Sequence, residues 1–351
     1  VERREKMDDK GYMLRLIKGA SLEKFKQAAE AAHERSGKNR GYIFADMLNC
    51  MLRYGAGYYD YLIFGFYDLS GKQRKTYVTR LFSKKFTEFM NSAKYRHIFD
   101  NKDEFYETFR EYLGRDFLIL KKSSDDDIAN FAKDKDRLFG KISGGECGRG
   151  CALVETKDFL SEKNLTEYLK RNFDIVEEVI VQHPSLNEFY PKAVNSMRVI
   201  TAVDSFKKAH CLYAAQKFGS NGKVVDNNSM FAPVDTETGM INMPAHSGDT
   251  VKGQVYDIHP NSAKAFSGFC VPYAKQAKEL CLKAALVVPE MRYIGWDVAI
   301  TPKGPVIIEG NHFSAHDFWQ LPPHTPDKTG MIPKIKEVVP EFFEKEGKRW
   351  R

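Results

Sequence analysis

The segment from residue 295 to 311 constrains the fold more than any other part of the sequence, because its pattern indicates two strands joined by a tight turn. The letters are GWDVAIT, then PKG, then PVIIEGN. If the turn is a three-residue loop with Gly304 in the left-handed conformation, Thr301 pairs with Pro305 and the hairpin register is fixed. This register predicts that Asp297 lies directly opposite Glu309.

The predicted hairpin has one acidic and one apolar face. Since side chains alternate along a strand, Asp297, Glu309 and Asn311 share one face. The apolar residues of the other face are Trp296, Val298, Ile300, Val306 and Ile308. Facing carboxylates repel unless a proton or a cation lies between them, and two carboxylates with an amide oxygen suit Mg²⁺ that also binds nucleotide phosphates. The alternative is an acidic face that meets only solvent.

Composition narrows the class of protein. The 351 residues are 42% hydrophobic and 13% aromatic, enough for a sizeable core in two or three domains. The net charge is +7, but 54 basic residues are interspersed with 47 acidic ones, which favours a small anionic ligand or acidic substrate over nucleic acid.

Without an apolar run of about 20 residues or an apolar leader, we expect a cytoplasmic protein without membrane insertion. Six scattered cysteines favour reduced thiols over a zinc site.

Hydrophobic periodicity predicts an α+β fold with a mainly helical N-terminal region over residues 1–95. Helical spacing covers 12–70 and 82–113, and the second block ends at Gly114. Strand-like runs then alternate with helices, at 117–120, 137–139, 151–155, 175–181, 197–203 and 210–217. A helix over 271–286 is predicted before the hairpin.

A glycine-dense segment follows the apolar run that ends in Lys141. It contains Gly144, Gly145, Gly148 and Gly150 before the next strand. Such a loop lets backbone N–H groups approach a phosphate, and we expect Lys141 to face solvent at its start as an added positive charge. The spacing is not that of a Walker A loop, and a flexible surface loop is the alternative.

Paired acids interrupt the next strand. Glu177 and Glu178 are adjacent, so they point to opposite faces, and one of them would be costly if buried without a partner. The strand runs on through Val179 and Ile180 toward Pro184. Its backbone could form an edge for adenine.

The order of these features resembles the ATP-grasp superfamily, and more closely its sugar-transfer-associated branch, which is connected with polysaccharide biosynthesis. The motifs of the resemblance are YGAGYYDY within 49–67, NSMRVIT at 195–201, VDN at 225–227, VDTETG at 234–239, HP at 259–260 and the hairpin. It implies an ATP-grasp fold, with a small subdomain at 96–182 and a C-terminal subdomain with the metal site at 183–351. Residues 228–232 and Ala274 depart from the family pattern, which bears on the acceptor pocket.

The resemblance also implies residue roles. Lys102 and Lys141 would bind ATP phosphates, the latter with Gly144 and Gly145 of the loop. Arg198 would lie near the transferred phosphate and, with Lys141, act in catalysis. Adenine would be bordered mainly by the backbone of Glu177, Glu178, Val179 and Ile180, with a nearby acid available to the ribose. The Mg²⁺ ligands would be Asp297, Glu309 and Asn311.

The function implied is an ATP-grasp ligase with ATP and Mg²⁺ as cofactors. A small-molecule or sugar carboxylate would become an acyl phosphate and react with an amine to form an amide. Two alternatives stay open: a kinase on the same fold, and a nucleotide or anionic-glycan binding protein without turnover. The chain could assemble as a homodimer. His312 and His316 could serve structure or catalysis.

Overall fold

The N-terminal part of the chain is helical. A computed structural model describes residues 22–143, 150–220 and 229–346. Its first helices are α1 (Leu22–Ser36), α2 (Arg40–Tyr54), α3 (Tyr58–Ile63), α4 (Gly71–Arg74) and α5 (Arg80–Met90). The side chain of Asn39 accepts hydrogen bonds from the N–H groups of Gly41 and Tyr42 and so caps α2. The mainly helical N-terminal region is confirmed.

The helical block predicted over 82–113 is interrupted. After α5 come the short helices α6 (His97–Asp100), α7 (Lys102–Thr108) and α8 (Arg110–Leu113). Helix α8 ends at Gly114, whose φ is 58°. A Cβ atom at this position would lie 2.3 Å from the side chain of Val306. Glycine therefore permits both the turn and the close approach of α8 to a later strand.

A four-stranded antiparallel sheet follows, in the order β1-β4-β2-β3. The elements are β1 (Phe117–Ile119), α9 (Asp125–Ala132), β2 (Arg137–Lys141), β3 (Cys151–Glu155), α10 (Glu162–Asn172) and β4 (Ile175–Glu178). Leu138, Val154 and Val176 share a core with Leu169 of α10. Because side chains alternate along a strand, Lys141 and Glu177 point away from that core, to the opposite face.

A larger sheet has the strand order β11-β10-β5-β6-β7-β8-β9. Its elements are α11 (Pro184–Asn187), β5 (Met197–Val203), β6 (Ala209–Phe218), β7 (Met230–Pro233), β8 (Ala245–Ser247), β9 (Val255–Tyr256), α12 (Ala274–Ala284), β10 (Tyr293–Thr301) and β11 (Gly304–Asn311). Strand β10 lies between β5 and β11 and is buried along nearly its whole length. The buried Trp296 donates from Nε1 to Thr201 Oγ1 at 2.9 Å. This central position fixes the backbone that carries Asp297.

The last helices are α13 (Ile332–Val338) and α14 (Pro340–Lys345). The chain divides into two compact units: the first comprises the described residues up to 89, residues 249–255 and those from 315 onward, and the second comprises 90–248 and 256–314. The three-part division expected from the sequence stays a prediction. Among the described residues, no helix is long and apolar enough to span a membrane.

Candidate functional site

The hairpin β10–β11 lies in the second unit and brings Asp297 opposite Glu309, as the sequence predicts. The predicted turn is wrong in one detail, because Thr301 pairs with Gly304 and not with Pro305. Gly304 has a positive φ of 128°, within the left-handed region that the turn prediction assumed and that favours glycine. The turn alone would set Asp297 one residue out of register with Glu309.

A β-bulge corrects the register. Val298 pairs with Ile307, whereas Asp297 pairs with Glu309, so Ile308 is an extra residue on β11. The bulge also changes the predicted apolar face. Ile307 is completely buried, whereas Val306 and Ile308 are only half-buried. The sequence pattern of strict alternation assigned Val306 and Ile308 to the core because it contained no signal for the inserted residue.

Two cations hold the Asp297 carboxylate. Arg198 on β5 donates from Nε and Nη2 to the two carboxylate oxygens at 2.6 and 2.8 Å. Lys217 on β6 donates from Nζ to Oδ1 at 2.9 Å. Burial alone would raise the pKa of Asp297, but Arg198 and Lys217 together hold it well below its ordinary value. Asp297 is therefore ionised, buried and neutralised by its neighbours.

The sequence analysis missed Lys217. This lysine closes the run 210–217 that was predicted as a strand, and β6 pairs with the strand that carries Arg198. A lysine at the end of a mainly apolar strand-like run is the signal that could have found it. Burial and the nearby Arg198 lower the pKa of Lys217, as expected where two positive charges share one carboxylate.

Glu309 differs from Asp297 in its surroundings. Its side chain is exposed, and it accepts a hydrogen bond from Nδ2 of Asn311 at 3.3 Å. Partial loss of hydration and the neighbouring Asp297 carboxylate raise the pKa of Glu309 above its ordinary value. Within the described residues, no salt bridge reaches Glu309. An accessible carboxylate that has no cationic partner of its own and lies beside a second carboxylate is a favourable position for a cation.

The oxygen donors at the hairpin fit a divalent cation that shares its coordination. In the described parts of the chain, no group of three or more His, Cys, Asp or Glu side chains is gathered as a metal cluster. The hairpin instead offers two carboxylates and the amide of Asn311. Such a set suits Mg²⁺, which keeps several waters and is typically bound by one or two carboxylates and by substrate phosphates.

The two lysines predicted for phosphate binding lie at the start of the glycine-dense segment. Lys102 begins α7, and its Nζ donates to the carbonyl oxygens of Ile142 and Ser143 at 3.0 and 3.3 Å. Gly144 and Gly145 lie outside the described residues. Lys141 ends β2, and the expectation that it faces solvent is wrong, since only 7% of it is exposed.

Lys141 is buried because an acid from the neighbouring strand meets it. Its Nζ lies 2.8 Å from Glu177 Oε1 and donates to the Tyr106 hydroxyl at 2.6 Å. Burial disfavours the charged lysine, but the Tyr106 and Glu177 oxygens outweigh this effect and raise the pKa of Lys141. Both strands were predicted from the sequence, whereas the pairing of β2 with β4 that joins these residues was not.

The strand predicted to border adenine contributes two acids in different settings. Glu177 is 2% exposed, and its strand lies between β1 and β2. Its side chain and its backbone are both engaged within the protein, so the strand offers no free edge at this residue. Glu178 is partly open, 3.7 Å from Lys135, and accepts from the N–H of Asp116. Val179 and Ile180 follow the strand and are half-buried. An open depression of about 320 Å³ lies here, lined by Lys135, Asp136, Arg137, Glu178 and Val179.

Comparison with models of protein families shows to which family the chain belongs. A model described as sugar-transfer associated ATP-grasp matches residues 81–338. The chain belongs to this ATP-grasp family. The α+β fold with a mainly helical N-terminal region is therefore an ATP-grasp fold, as predicted. A search of curated proteins found no match.

Parts of the chain are similar, at low identity, to several solved structures of other proteins. The ATP-grasp ligase PsnB with minimal precursor, Mg and ADP is 14% identical, with 64% of this chain and 54% of that chain covered and a TM-score of 0.38. N5-carboxyaminoimidazole synthase from Aspergillus clavatus is 14% identical over 66% and 54%, with a TM-score of 0.39. Biotin carboxylase from Campylobacter jejuni is 12% identical over 69% and 46%, with a TM-score of 0.43. The chain thus spans about half the length of these proteins.

In this ATP-grasp protein the described candidate residues form two groups within one unit. Arg198, Asp297, Glu309 and Asn311 gather at the hairpin, and Lys102, Lys141 and the strand over 177–180 gather at the smaller sheet. Arg115 and Tyr106, which contact Glu177, were not among the predicted residues.

Two histidines follow the hairpin in sequence, and each is bonded to a carboxylate. His312 Nε2 lies 2.8 Å from Asp100 Oδ1 in the second unit. His316 Nε2 lies 2.9 Å from Asp60 Oδ1 in the first unit. These contacts give both rings a defined orientation, which is compatible with either of the roles left open above.

Proposed function

We propose that the chain is an ATP- and Mg²⁺-dependent ligase that joins a carboxylate to an amine through an acyl phosphate. The observation that carries the proposal is the pair of facing carboxylates, Asp297 and Glu309, beside the cations Arg198 and Lys217. Membership in a sugar-transfer associated ATP-grasp family supports a role in the synthesis of a polysaccharide or cell-surface glycan. ATP and Mg²⁺ are the cofactors of ATP-grasp proteins.

The residues of the hairpin would hold the cation. Asp297 and Glu309 supply carboxylate oxygens and Asn311 supplies an amide oxygen, the donor types that Mg²⁺ prefers. Lys102 and Lys141, at the start of the glycine-dense segment, would bind nucleotide phosphates. When bound, Mg-ATP supplies the phosphoryl group that activates the carboxylate substrate. The strand end at residues 177–180 would border the adenine, mainly through the backbone of Val179 and Ile180, which follow the paired part of the strand.

Arg198 and Lys217 would stabilise negative charge on the reacting groups. They stand beside Asp297 at hydrogen-bond distance, so their positive charge is fixed before any substrate arrives. Charges that are already oriented stabilise a developing anion without reorganisation during the reaction. Phosphoryl and acyl transfer then need positioning and electrostatic stabilisation more than a protein nucleophile. A side-chain nucleophile is accordingly not required by the mechanism.

Product analysis tests this function. The wild-type chain and Glu309→Gln would be incubated with ATP, Mg²⁺ and a pool of uronic acid sugars, amino acids and amines, and the products identified by mass spectrometry. The proposal predicts an amide with ADP and free phosphate from the wild type alone. A stable phosphorylated acceptor would establish a kinase instead. Nucleotide binding without any new product across the pool would favour a binding protein.

A further inference from the structure

A buried arginine outside the expected site connects the two groups of candidate residues. Arg115 lies between α8 and β1, and its side chain is 5% exposed. Its Nε donates to Glu177 Oε2 at 2.9 Å, and its Nη2 lies 3.2 Å from the Tyr106 hydroxyl. Its Nη1 donates to the carbonyl oxygens of Leu113 at 2.8 Å and Ile307 at 2.9 Å. Each of the three guanidinium nitrogens therefore has at least one acceptor within the protein.

The contact with Ile307 reaches the strand of the metal hairpin. Ile307 is the residue that precedes the inserted Ile308 of the β-bulge. A bulge interrupts the ladder of backbone hydrogen bonds locally. Arg115 donates to the Ile307 carbonyl there, and this bond fixes the guanidinium in a buried position two residues from Glu309.

Both carboxylate oxygens of Glu177 are bonded within the protein. Its Oε1 is paired with Lys141, and its Oε2 is bonded to Arg115 and to the Tyr106 hydroxyl. That hydroxyl donates to Glu177 and accepts from Lys141 and Arg115, which uses its one donor and both acceptor positions. Within residues 22–143, 150–220 and 229–346, the third N–H donor of the Lys141 ammonium has no protein acceptor.

The charges of this cluster do not cancel. Lys141 and Arg115 carry one positive charge each, Glu177 carries one negative charge and Tyr106 is neutral, so the buried cluster has a net charge of +1. With Lys141 and Glu177 alone, the net charge would be zero and the carboxylate would fully compensate the lysine. An uncompensated buried charge is unfavourable unless an opposite charge joins it. A bound anion beside the cluster would therefore be electrostatically favourable.

We propose that Arg115 is a positioning residue that neutralises Glu177 and thereby keeps the charge of Lys141 available to a nucleotide phosphate. Glu177 holds the lysine in place, and Arg115 prevents that carboxylate from consuming the lysine's positive charge. This inference rests on the proposed function, in which Lys141 meets phosphate. Arg115 itself acts through Glu177 and contacts no substrate.

Calorimetry with two probes tests the inference. Mg²⁺-ADP and adenosine, which has no phosphate, would be titrated into the wild type, Arg115→Met, Arg115→Met/Glu177→Gln and Arg110→Met. Arg110 is an exposed arginine of the same helix region, stacked 4.3 Å from the Phe117 ring. It controls for the loss of one positive charge at a distance.

Arg115→Met is expected to weaken ADP binding at least about tenfold, the effect of one charge-assisted hydrogen bond, and to leave adenosine binding unchanged. The double variant restores the net charge of +1, so its ADP affinity should return to within about threefold of wild type. A purely structural role would not produce this recovery. Equal loss of ADP and adenosine binding, or no recovery in the double variant, would overturn the inference.

Two further outcomes keep the tests separate. If the wild type itself binds no Mg²⁺-ADP, the proposed function fails, whatever the variants do. If Arg115→Met does not fold, Glu177→Gln alone decides, because it leaves Arg115 and Lys141 both uncompensated. It is then expected to raise the affinity for ADP relative to adenosine, and a fall in that ratio would overturn the inference.

Discussion

Replacing Glu309 by glutamine is expected to stabilise the metal-free protein slightly. Facing like charges on adjacent strands destabilise a sheet by about 0.2–1 kcal/mol. Glu309 faces Asp297, and partial loss of hydration together with this repulsion raises the pKa of Glu309. Arg198 and Lys217 already compensate Asp297, and the Glu309 side chain is exposed, so the gain lies in the lower half of that range. We expect about 0.5 kcal/mol in the free energy of unfolding, or about 1–2 °C in Tm.

With metal and nucleotide present, the sign of the effect should reverse. The glutamine places an NH₂ donor where the wild type has a carboxylate oxygen for the cation. A ligand at 100 times its Kd adds about 2.7 kcal/mol to the stability of the protein that binds it. At the concentration of Mg²⁺-ADP that gives this increment in the wild type, Glu309→Gln should gain less than about 1 kcal/mol, which corresponds to at least about a twentyfold weaker Kd. Turnover should fall by at least about a hundredfold.

Urea denaturation with and without Mg²⁺-ADP measures both increments on the same variant. Glu279→Gln is the matched control, because Glu279 is an exposed carboxylate of α12 that is not among the candidate site residues. This control should keep the wild-type ligand increment. A Glu309→Gln protein that gains nearly the full wild-type increment, or that turns over at a near wild-type rate, would refute the assignment of the hairpin as the metal site.

Three further predictions follow from buried or shielded groups. Lys141→Ala should lower the free energy of unfolding by about 3 kcal/mol, because it breaks a buried ion pair, and should also weaken ADP binding, as measured by denaturation and calorimetry. Burial lowers the pKa of His316, but Asp60 outweighs it and raises that pKa overall. The pair should therefore stabilise fully below about pH 6.5 and lose this contribution as pH rises through the raised pKa, and His316→Gln should flatten this part of the pH profile of stability. Burial raises the pKa of Cys151, which pairs with Lys141 across the sheet, so iodoacetamide should modify Cys151 more slowly than the exposed Cys270. Mg²⁺-ATP should slow the modification of Cys151 further without affecting that of Cys270. Peptide mass spectrometry follows both reactions.

The hairpin illustrates how far a local pattern reaches. Strand alternation and an assumed three-residue turn predicted that Asp297 and Glu309 face each other, and the structure reaches this pairing through a different turn register and a bulge. The turn prediction gave Thr301 a partner one residue too far along β11, Pro305 instead of Gly304, and the bulge at Ile308 offsets that difference. The bulged strand receives a contact from Arg115, which lies almost 200 residues away in the sequence and donates to the carbonyl of Ile307. No pattern within residues 295–311 contains that information.

Lys141 shows the opposite situation. Its place at the end of a strand before a glycine-dense segment was correctly predicted, but its exposure was not. Exposure depends on Glu177, which lies 2.8 Å away across β2 and β4 and far along the chain. The sequence indicated that one of the two adjacent acids would need a partner if buried, yet it could not identify Lys141 and Arg115 as those partners. Long-range charge pairing is fixed by sheet order, which local propensity does not determine.

The interrupted helical block over 82–113 has a similar cause. Its apolar spacing is helical throughout, but the chain leaves the helix after Met90 and turns again at Asn101 and Phe109. These breaks let Phe105 and Phe109 pack on the core with Trp296. Tertiary packing thus overrode the local preference for one continuous helix.

The central claim is that a cation held by Asp297, Glu309 and Asn311 brings the nucleotide to this site. Its most direct test is the affinity of the wild-type protein for ADP, measured by calorimetry in Mg²⁺ and, at the same ionic strength, in EDTA. The carboxylates and cations at the hairpin balance one another, so at the hairpin itself the positive charge that attracts the phosphates must come from the metal, in addition to the charge that Lys141 supplies at the smaller sheet. The account predicts binding at least about tenfold tighter in Mg²⁺, and equal affinity under the two conditions would contradict it.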